Sequence, residues 1–511
     1  MLILNDILGF IKTDSGLLAR SRPLPVTGLG SAPRISSSRI LAALAQLGFM
    51  QMAISLGTLV RNKLMAVYLQ PHGFGEFTQL TSIAASVHLL AQFGMAVGLA
   101  RNTAAASDSA ERQKQLSSAN GMTLLAAGAC LAVALPLLFS SAADLILPAL
   151  GIHPGWMQKA LLCGLLLVAP LEVLRNNYQS FLQGLLDLKG LSGKRSAAIA
   201  MSTVLAVPLI AFLGAGGACV HSAAAALLAA LLLGQRCRTL GYRPLSCGWD
   251  KATVLLLSSL GASSVFISFS QSAVETLLRA RLISAYGAAE NGLYQAALAV
   301  SAQITAVVLG SVATFGLAAL SSNTEPELIR GRMEDLLHVV LPVAALALSM
   351  AALLSRPAFS LLYSPQFQAG TAFLPLLLLA NYVQVASWTA AARVLGARLV
   401  SYWVWIQVAS LTLRFIVTVA AFPVLGPYAL PTGFLLAMCW DASAYFTVCR
   451  TRLAVRLPGR IFFNFLAGAA TIAGAGVLGC FMAPGLAVSA LAAAAACAVC
   501  ALMARRNGCE S

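Results

Sequence analysis

Apolar runs of about twenty residues recur almost without pause from residue 39 to residue 504, and that spacing limits the fold more than any motif does. A run of this length, wound as a helix, crosses the hydrocarbon core of a bilayer. Hydrophobic residues make up 59% of the chain and charged residues 10%, with a mean hydropathy of +0.83. Soluble domains have roughly 45–50% apolar and about 25% charged residues. A single water-soluble core cannot hide this much apolar surface, so the chain is read as an all-α polytopic membrane protein.

The runs fall at about 39 to 60, 77 to 99, 118 to 140, 157 to 184, 196 to 213 and 217 to 235. A basic link over 236–251, containing QRCRTLGYRPLSCGWDK, separates these six from six more. The second set lies at about 252 to 278, 292 to 317, 337 to 354, 371 to 392, 400 to 421 and 428 to 449. Two Ala-rich runs, 461 to 481 and 485 to 504, close the chain. The expected organisation is a lead over 1–38, an N-lobe over 39–235, a linker over 236–251, a C-lobe over 252–449 and a C-terminal helix pair with a short tail over 450–511. The lead has no basic n-region followed by a small-residue cleavage site, so no cleavage is expected.

An internal repeat supports two equivalent lobes. The stretch RNKLMAVYLQPHGFGEFTQ, from Arg61, returns about 218 residues later as RARLISAYGAAENGLYQ, from Arg279. In both copies an apolar helix closes on two cations one residue apart, Arg61 with Lys63 and Arg279 with Arg281. Gly75 and Phe77 then answer to Gly292 and Tyr294 beyond a short polar turn.

Short cytoplasmic loops collect Lys and Arg. With both termini inside, most of the 33 Lys and Arg fall on inward segments. Arg61, Lys63, Lys159, Arg279, Arg281 and Arg356 lie outward, and Arg175 and Arg414 lie within spans. The formal net charge of +16 therefore belongs to membrane edges and anionic lipid, and nucleic acid is not expected as a partner. Eleven Cys are scattered through spans and inward loops, and the five His are far apart, so neither a metal site nor a cofactor is expected. The CxxC of Cys497 and Cys500 has no second pair or neighbouring His to make it a ligand set.

Polar residues within the spans point to a hydrated interior. In span 7, Ser264, Ser268, Ser272 and Thr276 recur every four residues, beside Gln271, Glu275 and Arg279 at the same period. Residues so spaced share a helical face. Lipid penalises such a face unless it meets protein or water. Span 1 repeats the pattern with Gln51, Ser55, Thr58 and Asn62. Span 4 reads LEVLRNNYQSFLQG and sets Glu172, Arg175, Asn176, Asn177, Tyr178 and Gln179 in an apolar run; its counterpart, ANYVQVASWTAAAR, carries no comparable charge. An Arg at mid-bilayer costs about 2.5–3.5 kcal/mol on insertion scales, which makes it a functional candidate by default. Glu172 and Arg175, three apart, can simply neutralise each other. Arg414 in span 11 and Asp441 in span 12 are candidate partners for one another. The bland reading of Arg61, Lys63, Arg279 and Arg281 is snorkelling to the headgroups; the sharper one is a cavity shared by two lobes. With Arg175 and Arg414 these cations outnumber Glu76, Glu172, Glu275 and Asp441. A net-cationic interior suits an anionic substrate, and Arg grips phosphate oxygens bidentately.

This grouping of fourteen spans, the first loop YLQPHGFGEFTQ with the later FGMAVGLAR, and the passage RLISAYGAAENGLYQAALAVS together resemble the polysaccharide flippases of the multidrug/oligosaccharidyl-lipid/polysaccharide exporter superfamily. The resemblance runs from residue 39 to 504. Lipid II flippases of the superfamily are similar in span count, but their Thr-Asp-Ala-Phe-Phe-type second-span signature is absent. Drug exporters usually centre on intramembrane acids with few cavity cations, and the chain departs from that pattern.

The resemblance implies a MATE-like, V-shaped pair of six-helix bundles that carries an undecaprenyl-diphosphate-linked oligosaccharide across a bacterial inner membrane for surface polysaccharide assembly. Arg61, Lys63, Arg175, Arg279 and Arg281 would meet the diphosphate. Gln51, Ser55, Asn62, Asn176, Gln179, Ser264, Ser268, Gln271 and Ser272 would line the sugar path, and spans 13 and 14 would hold part of the polyprenyl tail. Glu172, Glu275 and Asp441 are the candidates for a coupling H+ or Na+. Membrane lipid, a polymerase and export machinery are the expected partners. A multidrug antiporter would share the fold. A membrane-embedded polymerase or ligase should show a large outward loop with paired carboxylates, whereas residues 141 to 156 and 355 to 370 are short, so no enzyme is expected.

Overall fold

A computed structural model describes residues 37–320, 326–397, 399–455 and 457–481. The expected span 14, the Cys497–Cys500 pair and the side chain of Gln51 lie outside the described residues. Within these, the regular structure is all helix, and no strand occurs. Seven helical segments are long and apolar enough to cross a membrane, and nine if each of two bent pairs counts as one span. Two of the seven, with 51 and 53 residues, are long enough to cross twice, since about twenty helical residues cover 30 Å. The other expected spans fall on helices, and the chain is a multi-pass membrane protein.

Helix α1 runs over Ser37–Gln92 and is broken at Gln70, whose φ is 58°. The expected polar turn is thus a single residue: Pro71, preset for a helix start and lacking the N–H a continuing helix would need, begins the next segment at once. After a bend of 43° at Phe93 and Gly94 come α2 (Met95–Ala105) and α3 (Ser109–Phe139). A short α4 (Ala143–Ala149) leads to α5 (Trp156–Leu166) and α6 (Ala169–Gly184), which share span 4 across a break at Leu167 and Val168. Helix α7 (Leu188–Thr239) reverses at Gly214.

The second set opens with α8 (Lys251–Tyr286) and α9 (Ala288–Leu320), separated only by Gly287 with φ 89°. This break repeats the one at Gln70. Helices α10 (Pro326–Leu353), α11 (Ser355–Leu362), a 3-10 segment (Pro365–Phe373) and α12 (Leu374–Gly396) follow. The hairpin of α13 (Val400–Leu425) and α14 (Ala429–Arg452) precedes α15 (Gly459–Phe481). Helices α2, α3, α5, α6 and α7 pack together with α1; α9, α10, α12, α13, α14 and α15 form the other body. The two bodies meet where α1 lies on α9 and α8, and α2 lies on α8.

Glycines permit the closest approaches along that seam. A Cβ on Gly75 would stand 1.8 Å from the Ala288 carbonyl oxygen, and one on Gly292 would stand 2.1 Å from that of Pro71. Toward the opposite end, the bends of the two bent spans touch, and a Cβ on Gly261 would lie 1.8 Å from the Gly94 carbonyl.

The linker is a strap fixed to the first body. Pro244 O accepts from Asn120 Nδ2 at 2.8 Å and from Tyr178 Oη at 3.0 Å, and Gly248 N donates to Ser117 O at 3.0 Å. Asp250 then caps α8 through Thr253 N at 2.9 Å and pairs with Lys114 at 3.1 Å. These hydrogen bonds, from Thr253 above all, hold the Asp250 carboxyl down at about 2. In the loop before α7, Arg236 grips Asp187 with two nitrogens at 2.6 and 3.0 Å and holds its carboxyl below the usual range.

Candidate functional site

Three polar clusters lie in or beside the seam. The first is built by the break in span 4. Because α6 restarts at Ala169, Glu172 falls in its first turn, where a carboxylate meets the positive end of the helix dipole. Arg175 pairs with Glu172 at 2.6 Å and donates to Asn176 Oδ1 at 3.0 Å, and Asn176 donates to Gln92 Oε1 at 3.1 Å. His88 lies within electrostatic reach of this pair and its ring contacts the Leu165 carbonyl, beside the break, at 3.2 Å. Arg195, near the start of α7, lies within electrostatic reach of Arg175. Gln179 continues the face of Glu172 and Arg175 and is half-buried. Asn177 and Tyr178 turn the other way: Asn177 donates to Asn120 Oδ1 at 3.1 Å and Thr123 Oγ1 at 2.9 Å.

The second cluster is the seam itself. Gln79 donates to Leu150 O at 2.9 Å and Thr276 O at 3.0 Å. Ser82 meets Thr276 at 2.7 Å and Ser86 meets Ser272 at 2.8 Å. Arg279, 4% exposed, donates to Asn291 Oδ1 at 3.0 Å and to Thr78 Oγ1 at 2.9 Å, while Asn291 donates to Gly75 O at 2.8 Å. Ser272 and Thr276 thus bond across to α1. Ser264 and Ser268 are half-buried and Gln271 is exposed on the same helix.

The third cluster joins α8 to the α13–α14 hairpin. Arg414 pairs with Glu275, and its guanidinium lies 5.1 Å from the centre of the Phe434 ring. The expected pairing of Arg414 with Asp441 does not form. The hairpin register sets Arg414 beside Gly433 and Gln407 beside Asp441. Seven residues separate Arg414 from Gln407, which places Asp441 about 10 Å along the helix from Arg414. Asp441 is 4% exposed; Gln407 Nε2 reaches its Oδ2 at 3.5 Å, and Oδ1 is buried without a hydrogen bond.

Of the five cations expected at a diphosphate, Lys63 and Arg281 are exposed. Residues two apart on a helix point to different sides. Arg61 and Arg279 turn inward, while Lys63 and Arg281 turn outward. Lys63 donates to Leu361 O at 2.6 Å near the end of α11, and Arg281 lies over Phe422 at 5.7 Å. Arg61 has its Nε buried without a partner and lies within electrostatic reach of His221. Of the span 1 stripe, Ser55 and Asn62 are buried. Beside the second body, an apolar crevice of about 680 Å³ runs between α10, α12, α14 and α15, lined by Leu337, Val383, Cys439, Phe446 and Phe465 with Arg450 among its walls.

Two bundles of kinked helices that meet at a seam of broken helices define the class: a repeated bundle of membrane helices. The solved structures it is similar to are of that class. An inward-facing multidrug resistance MATE family transporter of the MOP superfamily aligns over 86% of this chain and 99% of its own, with 15% identity and a TM-score of 0.59. The lipid II flippase MurJ, in an inward closed conformation, aligns over 84% and 91%, with 13% identity and a TM-score of 0.63. A MOP superfamily transporter from Pyrococcus furiosus, described as having a binding pocket of reversed polarity, aligns over 86% and 97%, with 15% identity and a TM-score of 0.56. No family model matches the sequence, and no curated protein matches it. The shared feature is the fold.

Proposed function

We propose that the chain is a flippase that moves an undecaprenyl-diphosphate-linked oligosaccharide from the cytoplasmic to the periplasmic leaflet of a bacterial inner membrane by alternating access. The observation that carries the reading is the sign of the interior. Arg61, Arg175, Arg279 and Arg414 turn inward or toward the seam, against Glu172, Glu275 and Asp441. A drug exporter for cations has no use for that excess, whereas a diphosphate does. The oligosaccharide would occupy the polar faces of α1, α6 and α8, with its lipid tail left in the bilayer or along the crevice beside α15. Glu172, Glu275 and Asp441 remain the candidates for a coupling H+ or Na+; one charge moved through 100 mV is worth about 2.3 kcal/mol.

The test compares a deletion strain with strains expressing wild type, Arg279→Ala and Arg175→Ala at matched protein levels, reading surface polysaccharide and the leaflet of the lipid-linked intermediate. Loss of polysaccharide with the intermediate retained on the cytoplasmic side supports the reading. Intact polysaccharide in the deletion strain removes it. The second reading, a MATE-type antiporter, is favoured by Asp441, a buried carboxylate with one oxygen unbonded. Drug sensitivity on deletion, restored by wild type and not by Asp441→Asn, would put it first.

A further inference from the structure

The Glu275–Arg414 pair is buried and yet incomplete. The side chains are 18% and 7% exposed, and one bond joins Arg414 Nη2 to Glu275 Oε2. Glu275 Oε1 and Arg414 Nε are buried without partners. A carboxylate settled against an arginine commonly uses both oxygens on two nitrogens.

The same carboxylate acts on a second guanidinium, that of Arg279 one turn further along α8. The Tyr294 hydroxyl is buried beside Arg414 and in the field of all three charges. Two buried cations therefore stand near one carboxylate, which among the described residues pairs with Arg414 alone, while Arg279 is bonded to Asn291 and Thr78. A buried charge without full compensation is costly, and a ligand with more negative charge than one carboxylate would meet the deficit.

We propose that Glu275 is an exchangeable counter-ion: it stands where a phosphate group would sit beside Arg414, and an entering diphosphate displaces it, making Arg414 and Arg279 one anion subsite. The inference rests on the flippase reading for its substrate. It adds a consequence for gating. Arg279 also fastens the seam through Thr78. An anion that recruits Arg279 therefore withdraws a bond from the Gly75–Gly292 contact, so that binding and loosening of that end are one event.

The experiment titrates inorganic pyrophosphate into the full-length protein in lipid nanodiscs by calorimetry. Wild type is compared with Glu275→Gln, Glu275→Asp, the double variant Glu275→Gln/Arg414→Gln, and Arg61→Ala. With the internal competitor neutralised, Glu275→Gln binds pyrophosphate at least ~5-fold tighter than wild type, the lower end of ordinary coupling between sites. Glu275→Asp, charged but one methylene short of Arg414, shifts the same way and serves if the Gln variant does not fold. The double variant loses the gain. If wild type binds and Arg61→Ala weakens binding while neither Glu275 variant gains, the exchange is overturned and the cationic-interior flippase stands. If neither wild type nor the Glu275 variants bind pyrophosphate, both fail.

Discussion

Gly75 and Gly292, equivalent positions in the two sequence repeats, press against each other's helices at one end of the seam. A Cβ on Gly75 would lie 2.8 Å from Gly292 N, and one on Gly292 would lie 3.2 Å from Gly75 N. The repeat is therefore a contact as well as a copy: the first turns of the helices that follow the breaks at Gln70 and Gly287 are each other's packing surface. Asn291 and Arg279 add polar bonds to the same place.

Gly75→Ala pushes a methyl group into the Ala288 carbonyl. Overpacking of this kind costs about 1–3 kcal/mol. The melting temperature of the purified protein falls, whereas Gly128→Ala, where a Cβ meets nothing within 4 Å, leaves it unchanged or raises it.

Inward and outward members of each cation pair separate in a complementation assay. Arg61→Ala and Arg279→Ala lose surface polysaccharide, and Lys63→Ala and Arg281→Ala keep it at matched protein levels. Equal loss from Lys63→Ala would return the pair to the original expectation that both cations serve the ligand.

Neighbouring asparagines on α6 have opposite phenotypes. Asn177→Ala strands Asn120 and Thr123 in a buried site, which costs about 1–3 kcal/mol and lowers the melting temperature. Asn176→Ala, on the half-buried face with Arg175, leaves stability near wild type and reduces transport.

The linker strap responds to acid in a defined window. Asp250 has its carboxyl held at about 2, below its ordinary 3.8, so its stabilisation is fully present above 3.8 and is lost as pH falls through about 2. Asp250→Ala therefore lowers the melting temperature by a constant amount from pH 7 down to about 4, and the difference closes only below that. A difference that closed near neutral pH would show that another group controls the strap.

Much of this was legible in the sequence. The apolar runs that lie in the described residues fall on helices, because a bilayer sets helix length and backbone hydrogen bonding leaves helices as the economical way across. The repeat identified Gly75 and Gly292 as equivalents, and the three-residue spacing of Glu172 and Arg175 gave their ion pair. Even the opposite fates of Arg279 and Arg281 were latent in their spacing of two.

Other relationships were beyond sequence reasoning. The break at Gln70 was expected as a short polar turn, yet Pro71 restarts the helix immediately. Arg414 found Glu275, not Asp441, because partner choice depends on hairpin register and on which face α8 turns to the second body. Arg195 and His88 joined the span 4 cluster only when the packing brought their helices to it. The sequence by itself determined that the chain is a two-fold repeated bundle of membrane helices with charge inside, since hydrophobic length and periodicity are local properties. Which of those charges meet was decided by the tertiary structure alone, because at low dielectric an ion pair is made or lost over a few ångströms, and such distances are fixed by helices far apart in the chain.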